Sequence, residues 1–154
     1  MIIIVIIRQE SLTDKIDMKV VFNDIIPFKG YLAMCIWPFV FVRNSAKAMY
    51  DSIADNHESV HAEQQCEMLQ VGVLLCLVAF VFIGPWALLF LPLFFWWYGL
   101  EYIFRLVQYR DAHKAYRNIS FEREAYANQS DMGYIQSRRH FAWFNYIILR
   151  ENEN

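Results

Sequence analysis

The stretch that decides the fold is MLQVGVLLCLVAFVFIGPWALLFLPLFFWWYGL, Met68 to Leu100, which holds no charged residue between Glu67 and Glu101. A helix needs about 20 apolar residues to cross a bilayer, so at least one membrane segment is expected here. Gly84-Pro85 lies at its middle. Proline removes a helical donor and disfavours helix in the residue before it, so the pair is a natural break. Either a long kinked span or a hairpin with arms 68–83 and 86–109 would satisfy the pattern. The flanking charges favour the hairpin. Arg43 and Lys47 precede the segment, Arg105, Arg110, Lys114 and Arg117 follow it, and the turn carries none. The positive-inside rule places both flanks in the cytoplasm, which a hairpin permits and a single span does not. Each arm is short for a full crossing, so tilt or local thinning is expected. Trp96, Trp97, Tyr98 and Tyr102 would then lie near the inner interface, where amphipathic rings are favoured. A buried hairpin in the core of a soluble protein is the plainer alternative, and the length of the run disfavours it.

Outward from this stretch, 154 residues make one domain rather than two. The composition is 57% hydrophobic, 18% aromatic and 19% charged, against about 25% charged in an average soluble chain. A net charge of −2 offers no basic field for nucleic acid. Cys35, Cys66 and Cys76 are odd in number and form no CxxC pair, which argues against a disulfide framework or a cysteine zinc site. The apolar start, Met1 to Arg8, has neither a basic leading region nor a cleavage site. Met18 is a candidate natural start, with residues 1–17 as an upstream extension.

Residues 18–43 mix β-branched and aromatic residues with Pro, Gly and Asn, and read as a β-hairpin or small sheet. Its strands would include Val20-Val21-Phe22 and Ile36 to Val42, with a turn at Asn23-Asp24. From about Ser45 the periodicity is helical and runs through residues 46–67 into the first apolar arm. Ser120 before Glu122 and Glu124 marks a helix start, from a serine cap and acidic residues in the first turn. That helix should reach about Asp131, and a last one should cover 134–150, so that 119–150 is helical. The fold class expected is therefore a mainly α integral membrane protein with a small N-terminal β element.

Chemistry is concentrated in Asn56-His57-Glu58-Ser59-Val60-His61. Residues four apart share a helix face, so His57 and His61 can converge on one ion. Two neutral imidazoles suit Zn²⁺ and leave room for a third ligand and a water. Glu58 would project beside the metal and act as general base on that water. Zinc lowers the water's pKa from 15.7 to about 7. The plainer reading makes this a solvated helix face, with Asn56, Glu63, Gln64 and Gln65 adding polarity. A di-iron reading of Glu58-x-x-His61 requires a second ExxH, and neither His113 nor His140 has a glutamate three residues before it. The third zinc ligand is expected from Glu122 or Glu124. The two lie about 200° apart round a helix, so one faces the metal and the other would be surface charge.

His57-Glu58-Ser59-Val60-His61, a hydrophobic hairpin, and Ser120-Phe121-Glu122-Arg123-Glu124-Ala125 follow one another in an order that resembles the membrane-embedded gluzincin metallopeptidases of the HtpX and CAAX-prenyl protease type. The stretch Tyr-Arg-Asn-Ile-Ser-Phe-Glu-Arg-Glu-Ala at 116–125 is also similar to one in small membrane proteins of Bacteroidetes-type bacteria. The peptidase resemblance implies a zincin-like HExxH helix, a second metal-ligand helix, and Glu122 rather than Glu124 as third ligand. The chain departs from that family at Tyr126, where the family has aspartate, and is about half the usual size. Tyr116, Tyr126, His113 and His140 are available as transition-state stabilisers, with nothing to select among them.

The expectation is thus a zinc metallopeptidase in the bacterial inner membrane, with its termini and HExxH site facing the cytoplasm. Its partners would be the lipid bilayer and a peptide or membrane-protein substrate. The β element could offer an edge strand to that peptide. The runner-up is a non-catalytic zincin-like membrane scaffold that binds a partner, and a third possibility is a plain membrane hairpin with an accidental motif.

Overall fold

The computed structural model describes residues 3–5, 18–28 and 30–148, with side chains from residue 18 onward. It is mainly helical, with one small sheet. Strands β1 (Ile3–Val5), β2 (Lys19–Asn23), β3 (Ala33–Ile36) and β4 (Phe39–Arg43) precede helices α1 (Ser52–Ile83), α2 (Leu93–Tyr109), α3 (Ala112–Arg117), α4 (Ser120–Asn128) and α5 (Tyr134–Ser137). Short 3₁₀ segments cover Asn44–Met49, Gly84–Phe90 and Ala142–Tyr146. The chain divides into two compact units, Met1–Glu63 with Ala125–Arg138, and Gln64–Glu124 with Arg139–Asn154.

In the first unit the strand order is β1-β2-β4-β3. β2 and β4 pair in parallel, with Val20 opposite Val40 and Phe22 opposite Val42. β3 returns antiparallel on β4. Alternate side chains share a face, and Val20, Phe22, Val40 and Val42 bury that face with Cys35 and Ala62 of α1. The strand expected over Ile36 to Val42 is two strands, because Trp37-Pro38 forms a tight turn between them. The turn expected at Asn23-Asp24 is present: the Asn23 carboxamide oxygen accepts from the Ile25 and Ile26 amides at 2.8 and 2.7 Å. Asp51 starts α1, its carboxylate accepting from the Ala54 amide at 2.9 Å.

In the second unit α1 ends at Ile83, and Gly84 takes the left-handed φ of +57° that glycine adopts at no steric cost. The chain then doubles back. A Cβ on Gly72 would lie 2.4 Å from the Phe90 carbonyl oxygen, so the two backbones touch. The second arm is not helical from residue 86, as expected, but 3₁₀ to Phe90, and α2 begins only after Pro92. Beneath it Met68, Phe94, Ile119, Phe121 and Trp143 form a core against which Tyr98 and Tyr102 are half-buried. Of the four rings expected near an interface, Trp96 and Trp97 are exposed.

Two further expectations are corrected here. Ser120 does not cap α4 with its own side chain. Glu101 of α2 accepts from the Ser120 amide at 3.0 Å and its hydroxyl at 2.6 Å, filling an orphan donor position of α4 from outside the helix. The helix expected over 134–150 is α5 and a 3₁₀ segment. Arg138 is extended and Phe141 sits at φ +56°, with its amide donating to the Glu67 carboxylate at 2.8 Å. Residues 149 and 150 of that expectation lie outside the described residues.

The solvation of α1 is inverted along its length. Its polar residues Asn56, His57, Glu58, Ser59, His61, Gln64, Gln65 and Glu67 are buried. Its apolar residues Val73, Leu74, Leu75, Leu77, Val78, Phe80, Val81, Phe82 and Ile83 are exposed. Burying one such apolar side chain is worth about 1.5–3 kcal/mol, so leaving nine largely uncovered in water forgoes on the order of 10 kcal/mol. That equals the whole net stability of an ordinary domain, about 5–15 kcal/mol. Among the described residues, one helical stretch, Ser52–Phe90, is long and apolar enough to cross a membrane.

Candidate metal centre

The HExxH segment occupies the second and third turns of α1. There the i, i+4 spacing brings the His57 and His61 Nε2 atoms to 3.2 Å from each other. Two nitrogens about 2.0–2.1 Å from a tetrahedral zinc lie roughly 3.3 Å apart, so the histidine pair already has the spacing of two zinc ligands.

Within each unit, side-chain hydrogen bonds tie α1 to residues of α4 or just beyond it. At one end the Asn56 side-chain nitrogen donates to the carbonyls of Asn128, Gln129 and Asp131 at 3.3, 3.0 and 2.9 Å. At the other, Gln64 donates to the Phe121 carbonyl at 3.1 Å and to the Glu124 carboxylate at 3.0 Å. One ligand atom from each of His57, His61 and Glu122 lies within 4.8 Å of the other two, and all three residues are buried. This buried group could hold a metal ion. Two imidazoles and a carboxylate are the donor set of a His₂Glu zinc site.

Glu124 stands elsewhere. It is fully buried and accepts from Gln64, which corrects the expectation of a surface charge, and the group that could hold a metal contains Glu122. The reading of the HExxH segment as a solvated helix face fails on the same ground, since Asn56, His57, Glu58, His61, Gln64 and Gln65 are all buried. Buried imidazoles and a buried carboxylate are costly to desolvate, a cost that a bound cation would offset in part.

Neighbouring side chains hold the candidate ligands in place. The Tyr98 hydroxyl donates to one Glu122 carboxylate oxygen at 2.9 Å. The Tyr126 ring packs edge-on against His57 with centroids 4.6 Å apart. Tyr50 donates to Asp55 at 2.9 Å. Burial, followed by the charges of Asp55 and Glu58, holds its phenol far above the usual tyrosine range. Of the other residues considered for catalysis, His113 is exposed on α3 and the His140 ring lies 3.5 Å from Glu67. Sequence reasoning missed Tyr98, Gln64 and Gln129. Polar residues as far as 75 positions apart in the chain, with no shared motif, meet here only through folding.

No family model, curated protein or solved structure matches this chain.

Proposed function

We propose that this protein is a membrane-anchored zinc metallopeptidase that cleaves peptide segments presented at the cytoplasmic membrane face. The observation that carries the proposal is the buried convergence of His57, His61 and Glu122 on one point, with Glu58 one residue beyond the first histidine. Bound zinc would supply Lewis acidity and lower the pKa of a water to about 7. His57 and His61 would hold the ion through Nε2, and Glu122 through one carboxylate oxygen, while the Tyr98 hydroxyl donates to the other. Glu58 would take a proton from the water that attacks the peptide carbonyl and pass it to the amine that leaves, the role its place in the motif supports. The inverted solvation of α1 and its uncharged run support residence in a bilayer, where the exposed apolar residues meet lipid rather than water. Arg43, Lys47, Arg110, Lys114 and Arg117 support a cytoplasmic placement of both flanks.

The test is metal content of the purified protein, with His61→Ala, Glu122→Ala and Glu58→Gln beside wild type. Close to one zinc per chain is expected, lost in the first two variants and kept in Glu58→Gln, which should lose peptidase activity alone. If wild type takes up no zinc after supplementation, the peptidase reading fails and a non-catalytic membrane scaffold replaces it.

A further inference from the structure

We infer that Gln129, which nothing in the HExxH pattern points to, is a positioning residue that fixes the His57 ring as a ligand. This rests on the proposed zinc site and says how one of its ligands is prepared. The Gln129 side-chain oxygen lies 3.2 Å from His57 Nδ1. An amide oxygen only accepts, so this contact places the ring proton on Nδ1 and leaves the lone pair on Nε2. Nε2 is the atom that faces His61 at 3.2 Å. The same hydrogen bond therefore selects the tautomer and sets the ring plane. Metal-binding histidines commonly donate their other ring N–H to such an outer acceptor.

Gln129 is itself held. It follows the last residue of α4, where its own backbone carbonyl accepts from Asn56 at 3.0 Å, within a turn that Asn56 also grips at residues 128 and 131. Adjacent residues of α1 thus clasp one residue across the groove, Asn56 by its backbone and His57 by its side chain. The arrangement is reciprocal: Asn56 places Gln129, and Gln129 places His57. Tyr126 closes the ring from the side with its edge contact, which limits rotation about the His57 χ2 bond. An amide in this position, unlike a carboxylate, orients the imidazole without adding charge to the buried site.

The experiment uses the full chain in detergent micelles, with two readouts. The first is the ¹⁵N spectrum of the histidine rings in metal-free protein, and the second is zinc affinity by competition with a chelator. Wild type should show His57 as the Nδ1–H form. Gln129→Met, similar in shape but without the acceptor, should lose that preference and bind zinc about 10- to 100-fold more weakly, the usual effect of removing an outer partner. Gln129→Glu restores an acceptor and should recover both. Should the methionine variant fold poorly, the glutamate variant still decides, because a purely structural role gives it no reason to keep the Nδ1–H form. Unchanged tautomer and affinity in Gln129→Met would overturn the inference while leaving the zinc site standing. A wild type that takes up no zinc would sink the peptidase proposal, and the tautomer comparison would still judge Gln129.

Discussion

Replacing Asn56 by aspartate changes one NH₂ group into an oxygen and alters the shape of the side chain hardly at all. Asn56 is 2% exposed, and its nitrogen faces three carbonyl oxygens between 2.9 and 3.3 Å away. An amide nitrogen has two hydrogens to share among them. A carboxylate has none, so Asn56→Asp strips the donors from three acceptors and sets a buried negative charge against their dipoles. Each buried acceptor left without a donor costs about 1–3 kcal/mol. Some of that is recovered by water, because Asp131 is at the surface. A loss of roughly 3–5 kcal/mol is expected, the range for breaking a buried charged or polar network. Asn56→Ala removes the same donors without adding charge, and should lose less. Denaturant unfolding in mild detergent measures both, reading the midpoint at constant slope. If Asn56→Asp is as stable as wild type, or no worse than the alanine variant, then Asn56 does not hold the end of α4 and the clasp on the His57 turn is not real.

Gly72→Ala should be among the most damaging single-methyl additions in the chain. Its Cβ would meet backbone at 2.4 Å, which can yield only by shifting the hairpin, and overpacking of this kind costs about 1–3 kcal/mol. Gly99, where a Cβ meets nothing within 4 Å, is the control, and a Gly72→Ala protein melting at the Gly99→Ala temperature would contradict the close approach. Tyr98→Phe removes the hydroxyl that holds Glu122 and should weaken zinc binding about 10-fold or more with little change in stability. An unaltered affinity by chelator competition would show that the tyrosine only packs.

What the sequence made legible was whatever depends on local period and on residue type. The uncharged run, its break at Gly84-Pro85, and the i, i+4 histidines are properties of neighbouring residues. The choice of Glu122 over Glu124 came from resemblance; Glu122 lies in the buried group that could hold a metal ion, while Glu124 accepts from Gln64. Strand pairing was not legible, because the parallel alignment of β2 with β4 joins residues that a β3 excursion separates. Nor was the end of the chain. Tyr134, Phe141, Phe144, Ile147 and Ile148 keep helical spacing, yet Glu67, more than 70 residues earlier, captures the Phe141 amide and the helix does not form. A charged residue acting across that distance leaves no mark on periodicity.

The unbroken course of α1 works as a ruler. Val73, the first of the exposed apolar residues, lies twelve positions after His61 on α1, a helical rise of about 18 Å at 1.5 Å per residue. An extended peptide covers 18 Å in roughly five residues. Under the proposed function, a substrate anchored in the same bilayer would be cut about five residues outside the hydrocarbon, and cleavage position would be set by height above the membrane as much as by side-chain preference. Inserting one helical turn between Gln65 and Gly72 would move the cut outward by about 5 Å, while a tilt of α1 would draw it inward.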